Sequence, residues 1–314
     1  MTTQQIYDLA VTMGMKADLR GQAKVKKYLE RTKKLYEKMD KEAKLEFDKD
    51  KLTNPYSDTR ILFNNGKKEI KKVMMGVDLE GTELMLADKI GDIDLAISHH
   101  PRGLALADLH GVMDLQAQVL ADYGVPINIA ESVIKPRISE VSRGISPINH
   151  NRPVDIAKLL KINYMCVHTP CDNLGANYIK KLIDSKKPEL VEDALKMLKD
   201  IPEFKEAVKI KAGPTLFVGE PGNSCGKIAV TEFTGGTSGS KEIYEKMAQA
   251  GIGTIIGMHM GEEHRRKAEK YHINVIIAGH IASDSLGMNQ FLDELEKKGI
   301  EVVPVSGLIR VKRK

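Results

Sequence analysis

Leu95-Ala96-Ile97-Ser98-His99-His100-Pro101 decides how the rest of the chain is read. The first four residues are apolar or small and do not alternate with polar ones. Such a short run fits a strand buried on both faces, as in a parallel sheet covered by helices. The run then ends in two imidazoles and a proline, which cannot continue a central strand. Working upstream, Lys72-Val73-Met74-Met75-Gly76-Val77-Asp78 reads as a second such strand ending in an acid, and Gly81 to Lys89 as a helix. Downstream, a helix from about Met113 to Tyr123 leads to Pro126-Ile127-Asn128-Ile129, and Ile162 to His168 reads as a third strand. Strands alternating with helices at short spacing predict an α/β fold with a largely parallel sheet.

The same rhythm returns later. Lys227 to Thr231 reads as a strand, followed by a Gly/Ser/Thr loop over Phe233 to Ser240 and a helix from about Lys241 to Ala250. Then come the strand Gly253 to Gly257, the helix Glu262 to Tyr271, the strand Asn274 to His280, a helix from about Leu286 to Lys297, and a last strand near Glu301 to Val305. The stretch before Asn54 is helical, with Ile6, Leu9, Ala10 and Met13 on one face and a charged amphipathic segment from Val25 to Phe47. The expected organisation is a helical N-terminal extension over 1–53, a first α/β half over 54–175, a helical connection over 176–208, and a second α/β half over 209–314.

Composition excludes several classes. Of 314 residues, 42% are hydrophobic and 29% charged, which is ordinary for a globular protein. Aromatics are 5% and Trp is absent, so stacking platforms for single-stranded nucleic acid are scarce. The net charge of +5 is not gathered in a block. Lys24, Lys26, Lys27, Lys33 and Lys34 are interleaved with Glu30, Glu37, Asp40 and Glu42, the pattern of a solvated helix face. The basic end, Lys312-Arg313-Lys314, is too short to change this, so nucleic acid is not an expected partner. Cys166, Cys171 and Cys225 have no metal-finger or disulfide spacing. No apolar run approaches the ~20 residues of a membrane span. The chain is expected in the cytoplasm, away from membranes.

The chemistry lies at the strand ends. In open α/β sheets, ligands bind beyond the carboxyl ends of the strands. Here those ends carry Asp78, His99-His100, His168 with Asp172 four residues on, His259, and His280 with Asp284 four residues on. Adjacent histidines in a regular strand point to opposite faces, but Pro101 takes the chain out of strand geometry and lets both imidazoles approach one site. His264 and His272 fall in a helical stretch and read as surface residues. Imidazole and carboxylate together suit zinc, iron, manganese, nickel or cobalt, with zinc, iron or manganese the ions expected here. The set is large enough for two ions ~3.5–4 Å apart, with Asp172 the natural bridging carboxylate.

Ile97-Ser98-His99-His100-Pro101, His168-Thr169-Pro170-Cys171-Asp172 and Gly279-His280 with an acid four residues later occur in this order, and together they resemble the GTP cyclohydrolase I type 2 homologue family, also known as the NIF-three-like proteins. The resemblance runs from about Asn54 to the end. It implies two divalent metal ions per chain held by His99, His100, Asp172, His280 and Asp284. It also implies two similar, intertwined α/β halves joined through their sheets, and a homohexameric ring with the sites facing its cavity. Asp284 stands where the family usually has Glu, Met258-His259 stands where it has Gly-Glu, and the N-terminal 50 residues are longer and more charged than its norm.

Further residues suggest what the site acts on. Gly235-Gly236-Thr237-Ser238-Gly239-Ser240 lies between a strand and a helix, where backbone N–H groups can cradle a phosphate. It lacks the Gly-Lys-Ser/Thr ending of a Walker loop; its simpler reading is a turn with Ser238 or Ser240 as helix cap. Arg102 could pair with a phosphate or carboxylate. His259 and Glu232, and less strongly Glu131 and Glu262, are candidate general bases. Arg102, Gly235, Gly236, Thr237 and Ser238 are therefore the expected substrate contacts. The function expected is a metal-dependent hydrolase acting on a nucleotide or other phosphorylated small molecule. The alternative is a non-catalytic metal-binding ring or interaction scaffold.

Overall fold

In the computed structural model, which describes residues 1–313, the expected strands form with small changes at their ends. The N-terminal helices are α1 (Thr3–Ala17), α2 (Gln22–Lys38) and the short α3 (Lys41–Glu46). The first half contains β1 (Arg60–Phe63), β2 (Lys72–Gly76), α4 (Gly81–Ile90), β3 (Leu95–Ser98), α5 (Gly103–Ala107), α6 (Asp114–Asp122), α7 (Ile127–Ile145), α8 (Arg152–Leu160) and β4 (Asn163–Cys166). Three helices follow: α9 (Thr169–Lys186), α10 (Val191–Lys199) and α11 (Pro202–Lys209). The second half contains β5 (Thr215–Val218), β6 (Lys227–Val230), α12 (Tyr244–Gln249), β7 (Ile252–Gly257), α13 (Glu262–Lys270), β8 (Asn274–Ile277), α14 (His280–Lys297) and β9 (Glu301–Val305).

The two sheets repeat one topology. One runs β1-β4-β3-β2-β9 and the other β5-β8-β7-β6. Each has an antiparallel edge strand, β1 against β4 and β5 against β8, and is otherwise parallel. Strand for strand, β1 to β4 correspond to β5 to β8. The halves are intertwined, because β9 returns to the first sheet and pairs with β2, with Val73 opposite Val302 and Met75 opposite Pro304. Pro304 is tolerated there because β9 is an edge strand. The continuous burial of β2, β3, β4 and β8 matches their unalternating apolar sequences.

Helices α9 and α14 occupy corresponding places after β4 and β8, and they pack against each other. Glycine makes this contact close. A Cβ on Gly287 would stand 2.0 Å from the Cys171 carbonyl oxygen, and one on Gly175 would stand 3.3 Å from that of Ser283. Met288, Phe291, Leu292 and Leu295 of α14 are fully buried with Val73, Met75 and Ile97 of the first sheet. Each such side chain contributes about 1.5–3 kcal/mol, so α14 is firmly seated. Helix α1 joins the same core through Ile6, Tyr7, Ala10 and Val11, whereas α2 buries only Val25. No helix among the described residues is long and apolar enough to cross a membrane.

Candidate metal centre

The carboxyl ends of β3, β4 and β8 converge on one spot. His99 and His100 follow β3 directly; the chain there still bonds to β2's continuation, His99 N–H to the Gly76 carbonyl and His100 N–H to that of Val77. Their rings lie 5.4 Å apart, centre to centre, and tilt toward each other. Both imidazoles thus reach one site although the chain keeps strand-like hydrogen bonding through His100. His168 caps α9, and Asp172 sits in that helix's first turn, where the helix dipole favours a carboxylate. His280 opens α14, which begins earlier than its apolar pattern suggested, so Asp284 lies one turn further along the same face.

The ring nitrogens and carboxylates face inward. His99 Nε2 is 3.2 Å from Asp172 Oδ1 and 3.5 Å from Asp284 Oδ1. His100 Nε2 is 3.5 Å from Asp284 Oδ2, and His280 Nε2 is 3.7 Å from the same oxygen. His168 Nε2 is 3.6 Å from Asp172 Oδ2. Three overlapping groups lie close enough to hold a cation: His99, His100 and His168; His100, His280 and Asp284; His99, Asp172 and Asp284. His99 Nε2, Asp172 Oδ1 and both Asp284 oxygens are buried without a hydrogen-bond partner. Buried polar atoms are nearly always satisfied, so four converging orphans have the chemistry of a cation's donor set.

The opposite ring nitrogens are tied down. His99 Nδ1 meets the Val167 carbonyl at 3.0 Å, His100 Nδ1 meets Asp78 Oδ1 at 2.9 Å, and His168 Nδ1 meets Asp58 Oδ2 at 2.8 Å. A hydrogen bond at Nδ1 leaves Nε2 as the free lone pair, the arrangement that supports metal-ligating histidines.

Electrostatics agree. Burial opposes charge on His99, but the Asp284 and Asp172 carboxylates outweigh it and raise its pKa well above the ordinary imidazole value. Burial likewise opposes charge on Asp284, yet His99 and His100 hold it below the usual carboxylate range. The hydrogen bond from His100, with Arg102 adding to it against burial, lowers Asp78 to about 2. His280 and His259 are pushed down, chiefly by burial and then by neighbouring imidazoles. Among the described residues no Lys or Arg pairs with Asp58, Asp172 or Asp284. The pocket therefore draws in positive charge.

The five residues read as ligands from the motifs are brought together, and His168, marked in sequence only as a strand-end histidine, joins them. Its signal was the spacing it shares with His280, each four residues before an acid. One expectation needs correcting. Asp172 faces only His99 and His168, whereas Asp284 presents one oxygen to His99 and the other to His100 and His280. Asp284 is the shared carboxylate, because it projects from the helix turn lying between the two ends of the cluster.

A cleft of about 250 Å³ opens over the site, lined by His100, Arg102, His168, Asp172, Glu232, Gly236, Thr237, His259 and His280 among others. The His259 ring lies 4.8 Å from that of His280, and its Nδ1 is 3.3 Å from Ser238 Oγ. Glu232 adopts φ 58°, unusual for a residue other than glycine. One of its oxygens accepts from Gly239 N–H at 3.2 Å, and the other is an orphan. In the glycine loop, Gln116 Nε2 donates to the carbonyls of Gly235 (2.9 Å) and Thr237 (2.6 Å), and Arg137 Nε to that of Ser238 (3.2 Å). Ser240, rather than Ser238, caps the following turn. His264, read as a surface residue, is held against the Gly239 carbonyl at 3.1 Å.

Arg102 differs from its expected role. It lines the cleft but is engaged by Asp78 at 2.8 Å and Glu80 at 3.0 Å, so its charge is already spent on the protein. Glu131 is exposed on α7, and Glu262 pairs with Arg265 and Arg266 on α13.

A NIF3 superfamily protein from Sphaerobacter thermophilus has the same fold: 26% identity, 98% of this chain and 99% of that one covered, TM-score 0.79. The reduced HcgD from Methanocaldococcus jannaschii is a looser likeness, at 18% identity, 77% and 85% coverage and a TM-score of 0.46. The protein TTHA1606 from Thermus thermophilus stands at 14%, 77% and 85%, and 0.46. No protein-family profile matches the chain, and no curated protein matches it. The resemblance to the NIF-three-like proteins thus holds for the fold over nearly the whole chain, and the likeness carries no activity with it.

Proposed function

On this NIF3-type fold, we propose that the chain is a two-ion, divalent-metal-dependent hydrolase of a compact phosphorylated small molecule. One observation carries the reading: four buried ligand atoms of His99, Asp172 and Asp284 converge without partners next to a cleft lined by His100, His168, Asp172 and His280. His99, His168, Asp172 and Asp284 would hold one ion, and His100, His280 and Asp284 the other. Bound divalent ions supply Lewis acidity, enough to bring the pKa of a water toward ~7. His259, kept neutral by burial and by His280, accepts the proton at the cleft wall. Glu232 fixes the glycine loop through Gly239 and presents its free oxygen beside it. With the carbonyls of Gly235, Thr237 and Ser238 taken by Gln116 and Arg137, and the N–H groups of Thr237 and Gly239 by the Gly235 carbonyl and Glu232, the N–H groups of Gly236 and Ser238 are the loop's donors for a phosphate. The cleft, at about 250 Å³, is smaller than common ligand pockets of roughly 300–1,000 Å³. That size favours a small phosphate ester, or only the phosphate part of a nucleotide.

A specific observation supports a second reading. Arg102 is the cleft's one Lys or Arg, and it is already paired. A non-catalytic metal-holding ring needs no such cation. Metal analysis of the purified protein, followed by a phosphoester and nucleotide panel with His99→Ala and His259→Ala beside it, separates the two. Two equivalents of metal with turnover that both variants lose supports the hydrolase. Two equivalents with no turnover supports the holder. A wild type that takes up no zinc, iron or manganese sinks both.

A further inference from the structure

We infer that Asn173 is a positioning residue: its buried carboxamide ties the end of α1 to Thr234 and so holds the glycine loop where it lines the cleft. The N-terminal extension is thereby part of the site's construction. For the ligand, the inference rests on the reading of this loop as a phosphate cradle, and it adds the residue that sets the loop's place.

Three observations carry it. The first is where Asn173 stands. It lies in the opening turns of α9 and is 0% exposed. Helix α1 presses on the start of α9, since a Cβ on Gly14 would stand 2.6 Å from Pro170 Cα. The end of α1 therefore fixes that turn, and Asn173 with it.

The second is which way the amide faces. Asn173 Nδ2 meets three oxygens: the Tyr56 hydroxyl at 3.1 Å, the Gly14 carbonyl at 3.3 Å and Asp18 Oδ2 at 3.4 Å. Asp18 is itself buried and held. It accepts from Tyr56 Oη at 2.8 Å and from Arg20 through two bonds of 2.9 and 2.8 Å. A side crowded with acceptors takes the amide's donor, so Oδ1 is the atom turned to the loop.

The third is what Oδ1 receives. Thr234 Oγ1 donates to it at 2.6 Å. Thr234 lines the cleft and directly precedes Gly235. Gly235 and Gly236 have φ of 95° and 86°, and residues without a Cβ leave a chain much freedom. The loop's place then depends on its tethers. Gln116 and Arg137 hold the carbonyls of Gly235, Thr237 and Ser238. Thr234 holds the near end, ahead of the Gly236 and Ser238 N–H groups.

The test uses the full, metal-loaded chain and two readouts: amide hydrogen exchange over residues 232–240, and calorimetry with inorganic phosphate. Thr234→Val keeps the shape, removes the donor and leaves Asn173 Oδ1 unpaired. Exchange at Thr237 and Gly239 should quicken ~5-fold or more, and phosphate should bind ~5-fold or more weakly. Thr234→Ser returns the hydroxyl and should restore both. Tyr56→Phe, on the α1 side, should move both the same way by less, because Gly14 and Asp18 still accept. Metal content should stay level in all three, which separates a misplaced loop from lost ions; parallel loss of metal in Thr234→Val overturns the assignment to the loop. Unchanged exchange in Thr234→Val, or no recovery in Thr234→Ser, overturns the tie itself. Unchanged exchange in Tyr56→Phe overturns its α1 side. Quickened exchange with unchanged phosphate binding overturns its role in holding the anion. A wild type that binds no phosphate sinks the cradle reading, and the exchange comparison still decides the tie.

Discussion

Asp284→Asn tests the shared carboxylate directly. The change keeps the side chain's shape inside a fully buried turn of α14 and removes the one charge that faces both ends of the cluster. At free metal about 1,000-fold above its dissociation constant, each filled position stabilises the fold by about 4.1 kcal/mol. Unfolding entropy of about 2.1 cal/mol/K per residue over 314 residues gives about 0.66 kcal/mol/K, so each position raises Tm by about 6 °C. The wild type should therefore gain about 12 °C on metal loading. In Asp284→Asn the His100–His280 position keeps two imidazoles and no carboxylate, and the His99 position keeps Asp172. The metal-induced gain should fall below about 6 °C. Scanning calorimetry with and without chelator is the assay. The difference between the two states is read for each protein, so the variant's own effect on the metal-free fold cancels. A variant that still gains about 12 °C would refute Asp284 as the shared ligand, and the division of the cluster into two ends with it.

Other consequences follow from the same geometry. Gly287→Ala should destabilise the protein by about 1–3 kcal/mol or more and lower metal content, since its Cβ would meet the Cys171 carbonyl at 2.0 Å and push α14 from α9; unchanged denaturant midpoints and metal content would contradict that packing account. His259→Ala should retain both ions while turnover of any accepted phosphoester drops ~10²–10⁴-fold; parallel loss of metal would make it a ligand instead. His99 has a folded-state pKa above the ordinary value of about 6.5, so its charge stabilises the metal-free fold below that pH, and the contribution is lost as pH rises through the raised value. Metal must displace that proton, so zinc addition to metal-free protein at pH 7 should release protons into a weak buffer and affinity should rise with pH; absence of proton release would count against His99 as a ligand. Arg102→Ala removes the guanidinium that offsets Asp78, so it should tighten metal at the His100 position while changing phosphate inhibition little; unchanged metal affinity with lost phosphate inhibition would restore Arg102 as a substrate contact.

Much of this was legible in the chain itself. Buried strands such as Leu95–Ser98 announce themselves, because a strand covered on both faces must be apolar throughout. Polar residues at the ends of such strands stand out for the same reason, which is why His99, His100, Asp172, His280 and Asp284 could be named. The rest depends on distances between elements that sequence spacing does not encode. His168 resembles any strand-end histidine until Asp58, 110 positions earlier, is seen holding its Nδ1. Arg102 reads as a free cation until Asp78 and Glu80 close around it. Asp172 and Asp284 sit at equal spacing after their histidines, and only the crossing of α9 and α14, set by the missing side chain of Gly287, decides which faces both ends of the cluster. The sequence determined which groups could bind a cation, because residue type and strand periodicity are local properties. The tertiary structure decided which of them share it, because that is a matter of a few ångströms between helices brought together by packing.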